Sequence, residues 1–332
     1  MKRLAALLAL AACTEEAPER SLTEQLPPAG FPAPEPLPAE NALTEARAQL
    51  GRRLFFDRRL SRDGSVSCAT CHHPQAAFAD PAPVSTGVSN RRGTRNAPAL
   101  VNLAWSRSFF WDGRAPALEE QTGKPIENPD EMDLPLGEAA RRVAADPSYA
   151  RAFTAAYGAA PSEADLRRAL ASFVRTLVSG DSPYDRFLRG DAQALDPAAR
   201  RGLALFEAEK SGCFHCHPAG TLTNDGFFNN GTFVEGGDPG RQTVTGLAGD
   251  RGKFKVPGLR NVAVTAPYMH DGSLATLEAV IEQYARGGRG DPTTDPSITP
   301  LSLTAGEKAD LVAFLRALTD QAFVTDRRYH GD

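Results

Sequence analysis

Two short stretches constrain this chain more than anything else in it: Cys68-Ala69-Thr70-Cys71-His72 and Cys213-Phe214-His215-Cys216-His217. Two thiols three positions apart, with an imidazole beside the second, can reach both vinyl groups of one haem while the imidazole meets its iron. That is the pattern of covalent c-type haem attachment. A structural zinc site would want four ligands converging from paired motifs, and a redox Cys-x-x-Cys would want a βαβ context that the flanking sequence lacks. The fold must therefore accommodate two covalently bound haem c groups, with His72 and His217 as proximal iron ligands. His73 and His215 also adjoin the motifs, but the motif geometry already puts the other histidine on the iron.

The chain has five cysteines, and the two motifs use four. The fifth, Cys13, follows Met1-Lys2-Arg3, a short positive region, and Leu4 to Ala12, an apolar run too short to cross a bilayer but right for the core of an export signal. The run ends Leu10-Ala11-Ala12-Cys13, which resembles a bacterial lipobox. Residues 1–12 are then a lipoprotein signal peptide, and Cys13 becomes a lipid-bearing N-terminus. Thr14 rather than Asp after it resembles the outer-membrane default, so the expected location is the bacterial periplasm, held to the outer membrane by lipid alone. Residues 13–40 carry seven prolines between Ala17 and Pro38 and read as an extended tether that buries too little apolar area to fold.

Beyond the tether the chain repeats itself. Pro98, Leu100, Asn102, Asp112, Gly113, Leu118 and Glu119 recur as Pro257, Leu259, Asn261, Asp271, Gly272, Leu277 and Glu278, all at one constant spacing. The cysteine motifs lie closer together than that, so the second copy holds a longer loop between its Cys-x-x-Cys-His and its Asp-Gly. A repeat of this length means two copies of a domain rather than a solenoid. Helical patterns dominate. Ser162 caps an apolar face running through Leu166, Leu170, Phe173, Leu177 and Val178 to a stop at Gly180, and Asp196-Pro197 opens another helix. A further helix covers Leu274 to Arg286, and Thr304 with Glu307 forms a capping box. Stretches 85–95 and 220–252 read as long loops. The fold class expected is mainly α: two cytochrome c-like haem domains with long loops, related by internal duplication, at residues 41–195 and 196–325. Thirty-seven basic against 41 acidic residues, with no basic block, exclude a nucleic-acid partner.

The blocks Leu54-Phe55-Phe56-Asp57 through His72, Arg95 to Leu100, Phe110-Trp111-Asp112-Gly113-Arg114, Glu127 to Met132 and Val256 to Gly272 together resemble bacterial di-haem cytochrome c peroxidases and the related MauG enzymes. The similarity covers about residues 41 to 325. It implies an N-terminal haem that meets hydrogen peroxide and a C-terminal haem that passes electrons to it. Its distal acid matches Glu131, the neighbouring glutamine Gln121 and the tryptophan between the haems Trp111. From the residues alone, Glu127, Asp130 and Asp133 are equally suitable acids. The resemblance also implies an inter-haem Ca²⁺ held by Asn96, Thr265 and Pro267, a kind of site that suits hard oxygen donors. His270 resembles an inter-domain histidine and is given no catalytic role.

Some members close the peroxide haem with a loop histidine, but this chain has none between Pro74 and Trp111. Haem 1 is therefore expected to be open even when fully oxidised. The sixth ligand of haem 2 is a methionine in the peroxidases and a tyrosine in MauG. Tyr284 matches the latter, with Met269 the alternative. Three functions stay open: a peroxidase fed by a small periplasmic cytochrome c or cupredoxin, a MauG-type oxidase of a partner protein or small organic substrate, and a non-catalytic electron-transfer cytochrome. Family members are often homodimers.

Overall fold

A computed structural model of the chain describes residues 21–23, 26 and 28–330. Cys13 and the signal segment lie outside the described residues. Helices dominate, and the strands found among the described residues are the two-residue pair Phe227–Phe228 and Phe254–Lys255, antiparallel. None of the described helices is long and apolar enough to cross a membrane.

Two hydrophobic cores form, and they are built alike. In the first, helix Glu45–Phe56 crosses helix Glu163–Arg175; in the second, helix Pro197–Phe206 crosses helix Ala305–Arg316. Both crossings need a glycine. A methyl group at Gly51 would come within 1.9 Å of the Ala169 carbonyl oxygen, and one at Gly202 within 1.9 Å of the Asp310 carbonyl oxygen. The repeated asparagines serve one purpose in both halves. Asn102 and Asn261 each adopt a left-handed backbone, tolerable for asparagine, and each donates its N–H to a carbonyl just past the partner helix, Leu177 at 2.8 Å and Leu318 at 3.0 Å. Their side-chain oxygens accept from Ser179 and Asp320 N–H respectively.

These asparagines explain one difference from the sequence expectation. The helix capped by Ser162 ends at Arg175, not at Gly180, because the Leu177 carbonyl and Ser179 N–H are both bonded to Asn102 instead of to a further helical turn. Leu177 stays buried all the same. Likewise the helix expected from Leu274 begins at Leu277, since Leu274 pairs its backbone with Tyr268 and the Thr276 hydroxyl accepts from the first-turn Ala279 N–H as the helix cap.

Core contacts also run across the expected limits of the two halves. Tyr184 packs in the second core against Phe314, at 5.4 Å between ring centroids, so that core begins before residue 196. Phe323 and Val324 return to the first core, where Phe323 meets Phe78, so the chain's end crosses back to its first half. The proline-rich stretch departs furthest. Leu26, Phe31 and Leu37 pack with Trp105, whose indole N–H donates to the Pro32 carbonyl at 2.8 Å. Glu35 pairs with Arg107 at 2.9 Å, and the Arg260 guanidinium lies 4.2 Å over the Phe31 ring. Leu26 and residues 28–37 thus form a strap that touches both halves. Few apolar residues suffice because their partners form a ready groove, which a reading of the segment by itself could not include.

Candidate functional site: two cavities facing one tryptophan

Each half encloses a cavity, of about 270 Å³ in the first and 240 Å³ in the second. Cys68, Cys71 and His72 line the first; Cys213, Cys216 and His217 line the second. In both halves the histidine ring is fixed identically. His72 Nδ1 donates to the Phe78 carbonyl at 2.7 Å and His217 Nδ1 to the Leu222 carbonyl at 2.8 Å, which sets the tautomer and leaves Nε2 unprotonated, with a lone pair that could ligate a metal. Burial lowers both imidazoles below their ordinary range, His217 to about 4, so that they are neutral bases at neutral pH. All four cysteines are free of disulfide, and burial pushes Cys68 up to about 12 and Cys71 to about 11. Unionised thiols, a neutral imidazole and a largely apolar wall fit a covalently attached haem. Among the described residues no three His, Cys, Asp or Glu side chains converge as a zinc site requires.

The two cavities differ in the polar residues that line them. Gln121 and Glu131 line the first. Of the acids that sequence alone left equivalent, Glu127 and Asp130 are exposed, while Asp133 is paired to Arg62 at 2.8 Å and to Arg91. Glu131 is held from three sides. Its carboxylate accepts from Asn128 Nδ2 at 2.6 Å, and its carbonyl accepts from Val88 N–H at 2.8 Å. Gly87 lies so close that a methyl there would be 2.4 Å from the Glu131 carbonyl oxygen. Desolvation raises the Glu131 carboxyl above its ordinary value, against the Asn128 hydrogen bond and the Arg114 charge.

Tyr284 and Met269 both line the second cavity. By the repeat spacing, Tyr284 corresponds to Pro125 and Met269 to Phe110. The first cavity thus has a proline and a phenylalanine, neither able to ligate a metal, where the second has a phenol and a thioether. Asn230 Nδ2 lies 3.3 Å from the Met269 sulfur and 3.3 Å from the Tyr284 hydroxyl. Burial pushes the Tyr284 phenol up to about 12, so a phenolate there requires a neighbouring cation.

Trp111 lines both cavities. Its indole N–H donates to the Asn96 carbonyl at 2.8 Å, and its own carbonyl accepts from Lys255 N–H at 2.7 Å. Asn96 also lines both; Thr265 and Pro267 line the second. His270 lines the second cavity too and stacks on Phe254 at 3.6 Å between ring centroids. His73 and His215 line neither, and the exposed His215 pairs with Glu209 at 3.0 Å. Sequence reasoning missed Lys255, which lines both cavities and forms an ion pair with Asp225 at 2.6 Å. The repeat could have flagged it, since it occupies the position of Asn96. It also missed Asn230, for which no such signal exists, because that residue lies in the longer loop of the second half.

A family model described as di-haem cytochrome c peroxidase matches residues 45–193. The methylamine utilization protein MauG of Methylorubrum extorquens is 42 % identical over 299 residues, which cover 87 % of this chain and 83 % of that protein. Cytochrome c551 peroxidase of Nitrosomonas europaea is 37 % identical over 86 % of this chain and 85 % of its own length. The crystal structure of a MauG-like protein associated with microbial copper homeostasis superposes with a TM-score of 0.86 at 37 % identity, covering 91 % of this chain and 97 % of that one.

Proposed function

Since the chain belongs to the di-haem cytochrome c peroxidase and MauG family, and is an oxidoreductase with two c-type haems, we propose that it reduces hydrogen peroxide at its first cavity. Electrons would arrive through the second from a small periplasmic cytochrome c or cupredoxin. The observation that carries this reading is the asymmetry of the duplicated cavities: Gln121 and Glu131 in the first, Tyr284 and Met269 in the second.

Cys68, Cys71 and His72 would hold one haem, and Cys213, Cys216 and His217 the other. When bound, the haems supply an open iron for peroxide and the electrons that break the O–O bond. The protein's task is then proton traffic. Glu131, as a carboxylate, takes the proton from the inner peroxide oxygen and returns it to the outer one, so that water can leave. Asn128 and the Gly87–Val88 contact hold that carboxylate at the cavity wall. Gln121 would orient the peroxide. Trp111, bordering both cavities, would relay electrons between them. Asn96, whose amide nitrogen is committed to the Ala82 carbonyl at 2.9 Å, would offer its oxygen to a hard cation, and with Thr265 and Pro267 it would hold one Ca²⁺. Cys13 would anchor the enzyme by lipid in the periplasm, and the active form would be a homodimer.

A second reading, a MauG-type oxidase of a partner protein or organic substrate, is favoured by Tyr284. As a phenolate, Tyr284 would supply an anionic oxygen donor, the kind that favours ferric and higher oxidation states. Peroxide-dependent oxidation of reduced cytochrome c, measured for the wild type and for Glu131→Gln, tests the first reading. Turnover that collapses in the variant supports it. No turnover in either leaves only oxidation of another substrate or plain electron transfer, and intact turnover in the variant removes Glu131 from the proton path.

A further inference from the structure

Tyr284 and Met269, rivals for one position, are both bonded by a single side chain. Asn230 presents its amide nitrogen 3.3 Å from the Met269 sulfur and 3.3 Å from the Tyr284 oxygen. The amide orientation is set by its other end: Asn230 Oδ1 accepts from Thr232 Oγ1 at 2.7 Å and from Thr232 N–H at 3.3 Å. Thr232 N–H can only donate, so the oxygen must face Thr232 and the two amide hydrogens must face the cavity.

The base under Asn230 is rigid. The Gly231 carbonyl accepts from Gln283 Nε2 at 3.0 Å and from Arg289 N–H at 2.9 Å. Gly231 also packs so closely that a methyl group there would lie 2.7 Å from Gly288 Cα. Gln283 is the residue before Tyr284 on helix Leu277–Ala285. The loop that carries Asn230 is therefore fastened to the helix that carries Tyr284, and the two side chains keep their register.

We propose that Asn230 is a positioning residue for the axial side of the second haem, donating one amide hydrogen to the Tyr284 oxygen and the other to the Met269 sulfur. The first bond steadies the tyrosine and withdraws electron density from its oxygen. The second fixes the direction of the Met269 thioether relative to the Tyr284 oxygen. Donors to a ligand's own lone pairs tune the metal they never touch. This inference rests on the reading of Tyr284 as the axial ligand.

The test uses the full di-haem protein and reads the resonance Raman bands of the tyrosinate and the midpoint potential of each haem. In Asn230→Leu, loss of the donor strengthens the oxygen as a ligand, so the second potential falls and the tyrosinate bands shift while the first haem stays put. Should that variant fail to take up haem, Thr232→Val, which removes the 2.7 Å hydroxyl bond and leaves the amide oxygen held by the Thr232 N–H at 3.3 Å alone, is expected to move the same two readouts in the same direction by a smaller amount. Bands and potential unchanged, or a potential that rises, would overturn the proposal. Tyr284→Phe separates the two levels: if it leaves the second haem's spectrum intact, the axial reading itself is wrong. If it alters that spectrum while Asn230→Leu is silent, only the role of Asn230 falls.

Discussion

Glu131 acquires its character from position rather than from type. Three other acids lie within four residues of it, two exposed and one neutralised by arginines, and only Glu131 borders the cavity. Its carboxyl is raised by desolvation, and in the proposed proton path it must be ionised to accept the peroxide proton. The rate of peroxide reduction is therefore expected to fall as pH drops through that raised value, with a limb above the ordinary glutamate range of about 4.3. Glu131→Gln should cost roughly 10²–10⁴ in rate and abolish the limb. A pH profile of the two proteins reads both effects, and an identical limb in the variant would assign it to another group. The chain's lettering alone could not single out Glu131, because what distinguishes it is the approach of Gly87 and Val88 from far upstream. That each Cys-x-x-Cys-His motif forms one compact unit was legible, since local spacing alone brings its cysteines and histidine together on a cavity wall.

At the scale of elements, the duplication is read most directly in two glycines. Gly51 and Gly202 let a helix lie against a partner's carbonyl where no methyl fits, and the clash is with backbone, which cannot turn aside. Gly51→Ala and Gly202→Ala are each expected to lower stability by about 1–3 kcal/mol, seen as a reduced thermal midpoint. Gly249→Ala, with open space around it, should change stability by less than about 0.5 kcal/mol. Equal midpoints for all three would mean that the crossings relax at no cost. Helix existence and capping were legible from Ser162, Asp196 and Thr304, each of which caps as its sequence suggests. Helix ends were not, because Asn102 and Leu274 divert the backbone through partners that local patterns do not contain.

Across the whole molecule, two copies of one domain have kept their frame and diverged where a second axial ligand would sit. Pro125 in the first half stands at the repeat position of Tyr284 in the second, and Phe110 at that of Met269. The strap of Leu26 and residues 28–37 fastens the halves together through Trp105 and Arg260. A protein beginning at residue 39 is expected to keep both haems yet melt earlier than one beginning at residue 21, with faster amide exchange around Trp105. Unchanged exchange there would show that the strap holds nothing. The proline content of the strap made it look like a free tether, because Trp105, Arg107 and Arg260, which hold it, are more than sixty residues away in the chain. Central to all of this is one open and one closed haem in a single oxidised molecule. The electron paramagnetic resonance spectrum of the all-ferric protein, recorded before and after hydrogen peroxide with no reductant added, tests that most directly. One high-spin and one low-spin signal are expected, with the high-spin signal lost on the first addition of peroxide; two low-spin signals that peroxide leaves untouched would contradict it.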